Sequence, residues 1–222
     1  MTDGEMRALV RLSATLACGD TASLRGAMKE CLVLASFQGT EEVILQSYLF
    51  LGYPAALNAF SLWREVSGRE AGEAAPDAWG EWSDRGREVC RRVYGGQYDG
   101  LRKNVRALHP DMERWMVVEG YGKVLGRPGL ELAVRELCIA ALLAVLGAPR
   151  QLHSHLRGAL NAGAGMDQVE VAMEVARGLL EEDGRAEARV VWDQVRERWL
   201  QAASNEEGRT DTTDEAEASS AS

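Results

Sequence analysis

The sequence has no apolar segment of the kind that crosses or enters a membrane. Its longest uncharged apolar run covers residues 137–148, which is too short to span a bilayer. The first residues, MTDGEMRALVRL, carry acids and arginines and no continuous apolar stretch, so they do not form a signal peptide. These absences predict a cytoplasmic protein without membrane contact.

Positive charge is also in short supply. The formal net charge is −9, from 25 basic and 34 acidic side chains, and no Lys/Arg-rich stripe rises above this background. Nucleic acid is therefore not expected as a partner. The acidic excess is greatest in 204–222, which holds six acidic residues against one arginine and almost no apolar side chain. That composition predicts a disordered acidic tail.

Cysteine and histidine are scarce, with four of the first and three of the second. The cysteines are Cys18, Cys31, Cys90 and Cys138, and no two of them form a CxxC pair. A disulfide framework or a zinc site therefore has no ligand spacing on which to rest. Each cysteine is expected to be a small buried hydrophobe, and neither a metal nor a cofactor is predicted.

What the sequence does contain favours helices. Ala, Leu, Glu and Arg dominate it, β-branched residues are sparse, and such a composition has high helix propensity. Apolar side chains recur at helical spacing, as at Leu9, Leu12 and Leu16. The pattern predicts an all-α fold, with 67–80, rich in Gly and small residues, as the linker.

Two local predictions concern glycines. Gly39 is expected to close a helix that begins near residue 21, and Thr40 to cap the next one. Residues 111–125 are expected to be helical despite Gly120 and Gly122.

The strongest chemical signal flanks the run 137–148. Glu136 precedes it, and after Gly147 the chain enters another helix, whose inward stripe includes His155. If the two helices pack as a hairpin, Glu136 and His155 come within about a turn of each other. A carboxylate beside an imidazole can serve proton transfer. The structural alternative is that Glu136 favours a helix N-terminus and His155 is an ordinary core histidine.

A short internal echo predicts a duplication. Residues 23–28 read SLRGAM and residues 155–160 read HLRGAL, with four of the six positions identical. Each stretch lies in the second predicted helix of a hairpin. We interpret the echo as a degenerate duplication, in which Ser23 stands at the position of His155.

The stretch 135–163, RELCIAALLAVLGAPRQLHSHLRGALNAG, resembles the signature of the carboxymuconolactone decarboxylase family, which shares an all-α fold with the alkylhydroperoxidase D-like proteins. Residues 111–175 carry the resemblance, and EEVILQSYLFLGYPAALNAF (41–60) is similar to the segment that follows the HLRGALN helix in that family. The resemblance implies a duplicated helical bundle. Its parts are an N-terminal degenerate copy (1–66), the linker 67–80, a C-terminal domain with the candidate site (81–203) and the tail 204–222.

The resemblance also implies alternative chemistries. Alkylhydroperoxidase D-like members use a CxxC before the conserved His, but here Ala148 and Gln151 stand at the cysteine positions. A thiol-dependent peroxidase of the peroxiredoxin type is therefore only an alternative, because a dithiol cycle needs both thiols. A non-catalytic binding protein on the same fold is another.

The decarboxylase branch needs neither a CxxC nor a cofactor. Loss of CO₂ from a lactone acid requires an acid that protonates carbon and a cation that holds a carboxylate. The resemblance implies His155 as the acid or base, Glu136 as its orienting partner, Arg157 as a carboxylate clamp and Arg150 as a second candidate clamp. The predicted enzyme is a cofactor-independent lyase or isomerase acting on a small cyclic carboxylic acid.

Partners are predicted on the same grounds. A small anionic substrate is expected at the site. Family members also assemble through apolar helices, so the resemblance implies a homo-oligomer, with a trimer as the first candidate.

Overall fold

The computed structural model describes residues 1–73 and 79–220, with side chains described as far as residue 205. Over these residues the chain is helical and contains no β-strand, which confirms the all-α prediction. The α-helices are α1 (Asp3–Cys18), α2 (Thr21–Leu34), α3 (Phe37–Gln46), α4 (Tyr48–Ser67), α5 (Trp79–Tyr94), α6 (Tyr98–Leu108), α7 (Pro110–Trp115), α8 (Leu132–Leu146), α9 (Pro149–Asn161), α10 (Met166–Arg177) and α11 (Glu182–Ser220). A short 3₁₀ turn (Gly95–Gln97) precedes α6, and a π-helix (Met116–Leu125) follows α7.

The two regions that share the LRGA sequence pack in the same pattern. α1 and α2 form one hairpin, α8 and α9 form another, and α1 lies against α8 at the centre. α2 then packs on α4 as α9 packs on α11, and α3 contacts α4 as α10 contacts α11. This correspondence is what a duplication would produce. The buried apolar side chains of both regions nevertheless belong to one hydrophobic core.

A buried ion cluster ties the two regions together. Arg135, on α8, is fully buried and donates to Oε2 of Glu42, on α3, at 2.9 Å. Arg127 donates to the same carboxylate at 3.1 Å, and Gln46 Oε1 accepts from Arg135 at 3.4 Å. Removing one partner from such a cluster leaves an uncompensated buried charge, which is costly. The cluster therefore fixes the N-terminal part of α8, where Glu136 directly follows Arg135.

The prediction for Gly39 and Thr40 is wrong by one turn. α2 ends at Leu34, and the Ser36 hydroxyl caps α3 by accepting from the Gly39 N–H at 3.1 Å. The hydroxyl of Ser36, four residues before Thr40, already provides the oxygen that caps α3. Gly39 therefore lies inside α3, and the Thr40 hydroxyl donates to the Ser36 carbonyl at 2.9 Å.

The helical prediction over 111–125 is confirmed, and the structure adds that α7 passes into a π-helix at Met116. A β-carbon on Gly122 would lie 1.9 Å from the Trp82 carbonyl oxygen, and one on Gly86 would lie 2.1 Å from that of Val117. These glycines let the π-helix and α5 touch through their backbones, and Arg85 Nε donates to the Gly122 carbonyl at 2.7 Å. π-helical turns are frequent at functional sites.

The end of the chain continues α11 as helical backbone to Ser220. Among the side chains that the structure describes in this helix, the last buried one is Val195, and residues 200–205 are exposed. The disordered tail over 204–222 stays a prediction. The predicted linker 67–80 includes 74–78, which lie outside the described residues.

Among the described helices, none is by itself both long enough and apolar enough to cross a bilayer. The pair α3 and α4 together reach the necessary length and composition, with a bend of 116° between them.

Candidate functional site

Glu136 and His155 meet across the α8–α9 hairpin. Glu136 Oε2 lies 2.7 Å from His155 Nδ1, and the exposed fractions of the two residues are 0% and 7%. Gly147 adopts a left-handed φ of 70° at the end of α8, which allows the tight turn that brings the helices together. The predicted proximity of this pair is confirmed, while its catalytic role stays a prediction.

The hydrogen bond assigns different tasks to the ring nitrogens of His155. An ionised Glu136 accepts only, so Nδ1–H donates to it. Nε2 then remains for a ligand, and it has no hydrogen-bond partner among the described residues. A histidine held at one nitrogen and free at the other is the arrangement that a general acid or base requires.

Among the described residues, the carboxylate of Glu136 has one hydrogen-bond partner, His155. Its second oxygen, Oε1, is buried and has no hydrogen-bond partner within the described part of the chain. Gly158 on α9 has no side chain, so the Glu136 carboxylate can lie directly beside it. A β-carbon at position 158 would lie 2.7 Å from Glu136 Oε2. The negative charge of Glu136 is therefore directed at His155.

His155 forms part of the wall of a cavity of about 670 Å³. Leu49 and Phe50 of α4 line it from the N-terminal region, and the ring of Phe50 meets the His155 ring edge-on at 5.7 Å between centroids. The remaining walls are mostly apolar and come from α5, α6, α7, the π-helix and α9. The site thus draws on both regions of the predicted duplication, while its Glu–His pair comes from the C-terminal one.

Two tyrosines in the same cavity were missed by the sequence analysis. Tyr94 and Tyr121 both line the wall, and the Tyr121 hydroxyl donates to the Tyr94 hydroxyl at 2.8 Å. Burial, and to a smaller extent the charge of Glu136, raise the pKa of each phenol above its ordinary value. In the sequence each tyrosine is flanked by glycine, in VYGG and GYG. These flanking glycines were the sequence feature that could have identified the two tyrosines as site residues.

The structure separates the two arginines that the resemblance suggests as clamps. Arg150 is exposed and lies on the cavity wall, whereas Arg157 is half-buried and does not line it. Arg157 instead lies near His153. Burial, followed by the charges of Arg157 and Arg198, lowers the pKa of His153. Of the two candidates, the geometry favours Arg150 for contact with a ligand.

The cysteines take no part in this cavity wall. Cys31, Cys90 and Cys138 are buried, as predicted, whereas Cys18 is exposed because it ends α1 beside the turn. Burial raises the pKa of Cys31 and of Cys90 to about 12, and that of Cys138 further, so these thiols stay protonated. No group of three or more potential metal-ligating side chains occurs within the described residues.

Comparison with known proteins supports the resemblance. Residues 110–181 match the model of the Carboxymuconolactone decarboxylase family. The chain is also 25% identical over 186 residues to "Peroxisomal protein 2" of Schizosaccharomyces pombe, an alignment that covers 79% of this chain and 86% of that protein. The family segment runs from α7 beyond α10 and includes Glu136 and His155, so the predicted family resemblance is confirmed. Phe50 and Tyr94 lie outside it.

Proposed function

We propose that this carboxymuconolactone decarboxylase-like chain is a cofactor-independent lyase that removes CO₂ from a small cyclic carboxylic acid. The observation that supports the proposal is the buried pair of Glu136 and His155, 2.7 Å apart, on the wall of a cavity of about 670 Å³. A pocket of this volume suits a ring-sized organic molecule. Predominantly apolar walls with a few polar groups fit the carbon skeleton of such an acid.

The proposed reaction consumes one proton for each CO₂ that is released. The bond between the substrate ring and its carboxylate breaks, CO₂ leaves, and the electron pair moves onto a conjugated carbonyl oxygen as an enolate. Protonated His155 gives its Nε2 proton to carbon, the carbonyl re-forms, and a proton from solvent restores the imidazolium. Glu136 holds Nδ1–H and stabilises the positive charge. Exposed Arg150 would bind a substrate carboxylate at the edge of the cavity.

The proposal is tested with a panel of five- and six-membered lactone acids and cyclic β-keto acids. CO₂ release and deuterium incorporation from D₂O into the product are measured for the wild type, Glu136→Gln and His155→Gln. His153→Gln is the matched control, because His153 lies on α9 without lining the cavity. We expect turnover to fall by about 10²-fold or more in the first two variants and to stay unchanged in the control. Equal turnover in His155→Gln and the wild type would contradict the proposal.

The arginines are compared on the acid that is turned over. Arg150→Gln should raise KM with little change in kcat, because it removes a binding contact. Arg157→Gln should change neither constant. A raised KM in Arg157→Gln with an unchanged KM in Arg150→Gln would indicate instead that Arg157 binds the substrate carboxylate.

The alternative functions give different outcomes in the same assays. A peroxidase would reduce hydroperoxides with a dithiol as co-reductant and would lose this activity without its cysteines. A non-catalytic binding protein would bind an acid of the panel, detected by calorimetry, and release no CO₂. Cytoplasmic location and homo-oligomeric assembly also stay predictions.

A further inference from the structure

The geometry points to Tyr94 as a second catalytic group, one that holds the substrate carbonyl oxygen through its hydroxyl, with Tyr121 as the residue that positions it. The inference rests on the proposed function. It narrows the substrate class to acids in which the carbanion left by the loss of CO₂ is conjugated with a ketone or lactone carbonyl.

The hydrogen bond between the two phenols leaves the proton of Tyr94 available. Tyr121 donates to the Tyr94 hydroxyl at 2.8 Å. A phenol has one proton, and Tyr94 does not donate its own to any described residue. Because Tyr94 lines the cavity together with His155, that proton is free for a ligand oxygen.

The pKa of Tyr94 reflects its burial and its charged and hydrogen-bonded neighbours. Burial is the main cause that raises the pKa of Tyr94, and the negative charge of Glu136 raises it further, whereas the bond from Tyr121 acts in the opposite direction. The phenol therefore stays neutral at physiological pH and acts as a donor. A donor that itself accepts a hydrogen bond is polarised, and its own bond to an acceptor becomes stronger.

Packing holds Tyr94 and Tyr121 in place before a ligand binds. Tyr121 is 3% exposed and lies on the π-helix, whose next residue, Gly122, touches the α5 backbone at Trp82. The rings of Tyr94 and Tyr121 meet edge-on, with centroids 5.8 Å apart. Donors that are fixed before the reaction stabilise developing charge without a cost of reorientation.

The two groups divide the reaction between them. As the carbon–carboxylate bond breaks, the electron pair passes to the carbonyl oxygen, where the hydrogen bond from Tyr94 strengthens. Tyr94 keeps its proton throughout. The pair returns to carbon when His155 Nε2 delivers its proton there, and the carbonyl forms again.

The test uses 4-nitrophenolate as a stable mimic of the enolate, with binding followed by the shift of its absorption band. We compare the wild type with Tyr94→Phe and Tyr121→Phe. The control is Tyr98→Phe, because Tyr98 is a buried tyrosine that accepts from Arg102 and does not line the cavity. Affinity should fall about tenfold in Tyr94→Phe, the scale of one hydrogen bond to a charged group. The fall should be smaller in Tyr121→Phe and absent in Tyr98→Phe.

A second readout separates positioning from a merely structural role. Affinity is measured for a series of nitro- and fluorophenols of different acidity, and its slope against probe pKa reports the strength of the donor. Tyr121→Phe should flatten this slope without abolishing binding. 3-Fluorotyrosine at position 94 keeps the shape, makes the phenol more acidic and should tighten binding, which provides a test even if Tyr94→Phe does not fold.

The outcomes separate this inference from the proposed function. Unchanged phenolate affinity in Tyr94→Phe, or no binding to the wild type, overturns the inference whether or not CO₂ is released. CO₂ release that is lost in His155→Gln but retained in Tyr94→Phe also overturns it and leaves the proposed function standing. Release reduced by about 10²-fold in Tyr94→Phe, the scale of one oxyanion donor, together with weaker phenolate binding, supports it.

Discussion

Gly158 lies directly against the carboxylate of Glu136. A β-carbon at position 158 would come within 2.7 Å of Glu136 Oε2 and within 2.7 Å of Val93 Cγ1. The glycine of the HLRGAL sequence is thus required by the Glu–His pair rather than by the helix, which would accept alanine. Its counterpart in SLRGAM, Gly26, has nothing within 4 Å of the same added atom.

Gly158→Ala should therefore displace Glu136 from His155. We expect a loss of about 1–3 kcal/mol in the free energy of unfolding, the usual cost of overpacking a core, and a larger relative loss of CO₂ release. Gly26→Ala is the matched control. It should leave activity unchanged and stabilise its exposed helical position by about 0.5–1 kcal/mol. Chemical denaturation gives both energies, and equal effects of the two variants would contradict the packing argument.

Glu136→Gln should affect activity much more than stability. The carboxylate is fully buried and one of its oxygens has no hydrogen-bond partner among the described residues, so a neutral amide of nearly the same shape removes a charge whose burial costs free energy. We expect a melting temperature close to that of the wild type, together with turnover lower by about 10²-fold. A large drop in the melting temperature would instead indicate that Glu136 is mainly structural.

Replacement of all four cysteines by alanine or serine should leave native activity largely intact. The buried thiols are held protonated, with the pKa of Cys90 raised to about 12, and none lines the cavity. In the folded wild type, a disulfide reagent at mildly alkaline pH should modify Cys18 first, because it alone of the four is exposed. Loss of activity in a well-folded Cys138→Ala variant would revive the thiol-dependent alternative.

His153 should make the protein less stable in mild acid. Burial and the charges of Arg157 and Arg198 lower its pKa below the ordinary value of 6.5, so the unfolded chain binds the proton more readily than the folded one. Stability therefore falls as the pH drops through 6.5 toward the folded pKa. The melting temperature of His153→Gln should decrease less between about pH 7 and about pH 5 than that of the wild type. An identical pH dependence would argue against this coupling.

Arg157→Gln provides a direct check on the same coupling. Removing one of the two charges should raise the pKa of His153, as measured by NMR titration of its ring. Arg150→Gln should have a smaller effect, because Arg150 is not among the charges that depress this pKa.

Light scattering at micromolar concentration should show a homo-oligomer of the 24.3 kDa chain, with a trimer as the first candidate. An interface of apolar helices should also persist at high salt, because burial of apolar surface does not depend on screening. A monomer over the whole concentration range would contradict this prediction.

Much of the fold follows from the sequence alone. Helical spacing of apolar side chains identified most of the helices, and the hairpin around Gly147 was enough to predict that Glu136 and His155 meet. These predictions succeeded because they depend on local periodicity and on one tight turn. The sequence pattern over 111–125 did not indicate the change to a π-helix at Met116 or the backbone contact of Gly122 with Trp82, which lies across the fold.

Only the tertiary structure decided the composition of the site. Phe50 and Tyr94 lie far from His155 in the sequence, yet they line the same cavity wall. Arg157, which is close to His155 in the sequence, does not line it. Sequence pattern determines which face of a helix is buried, since that depends on residue spacing within the helix. Which buried faces meet depends on how distant helices pack, and no local pattern encodes that choice.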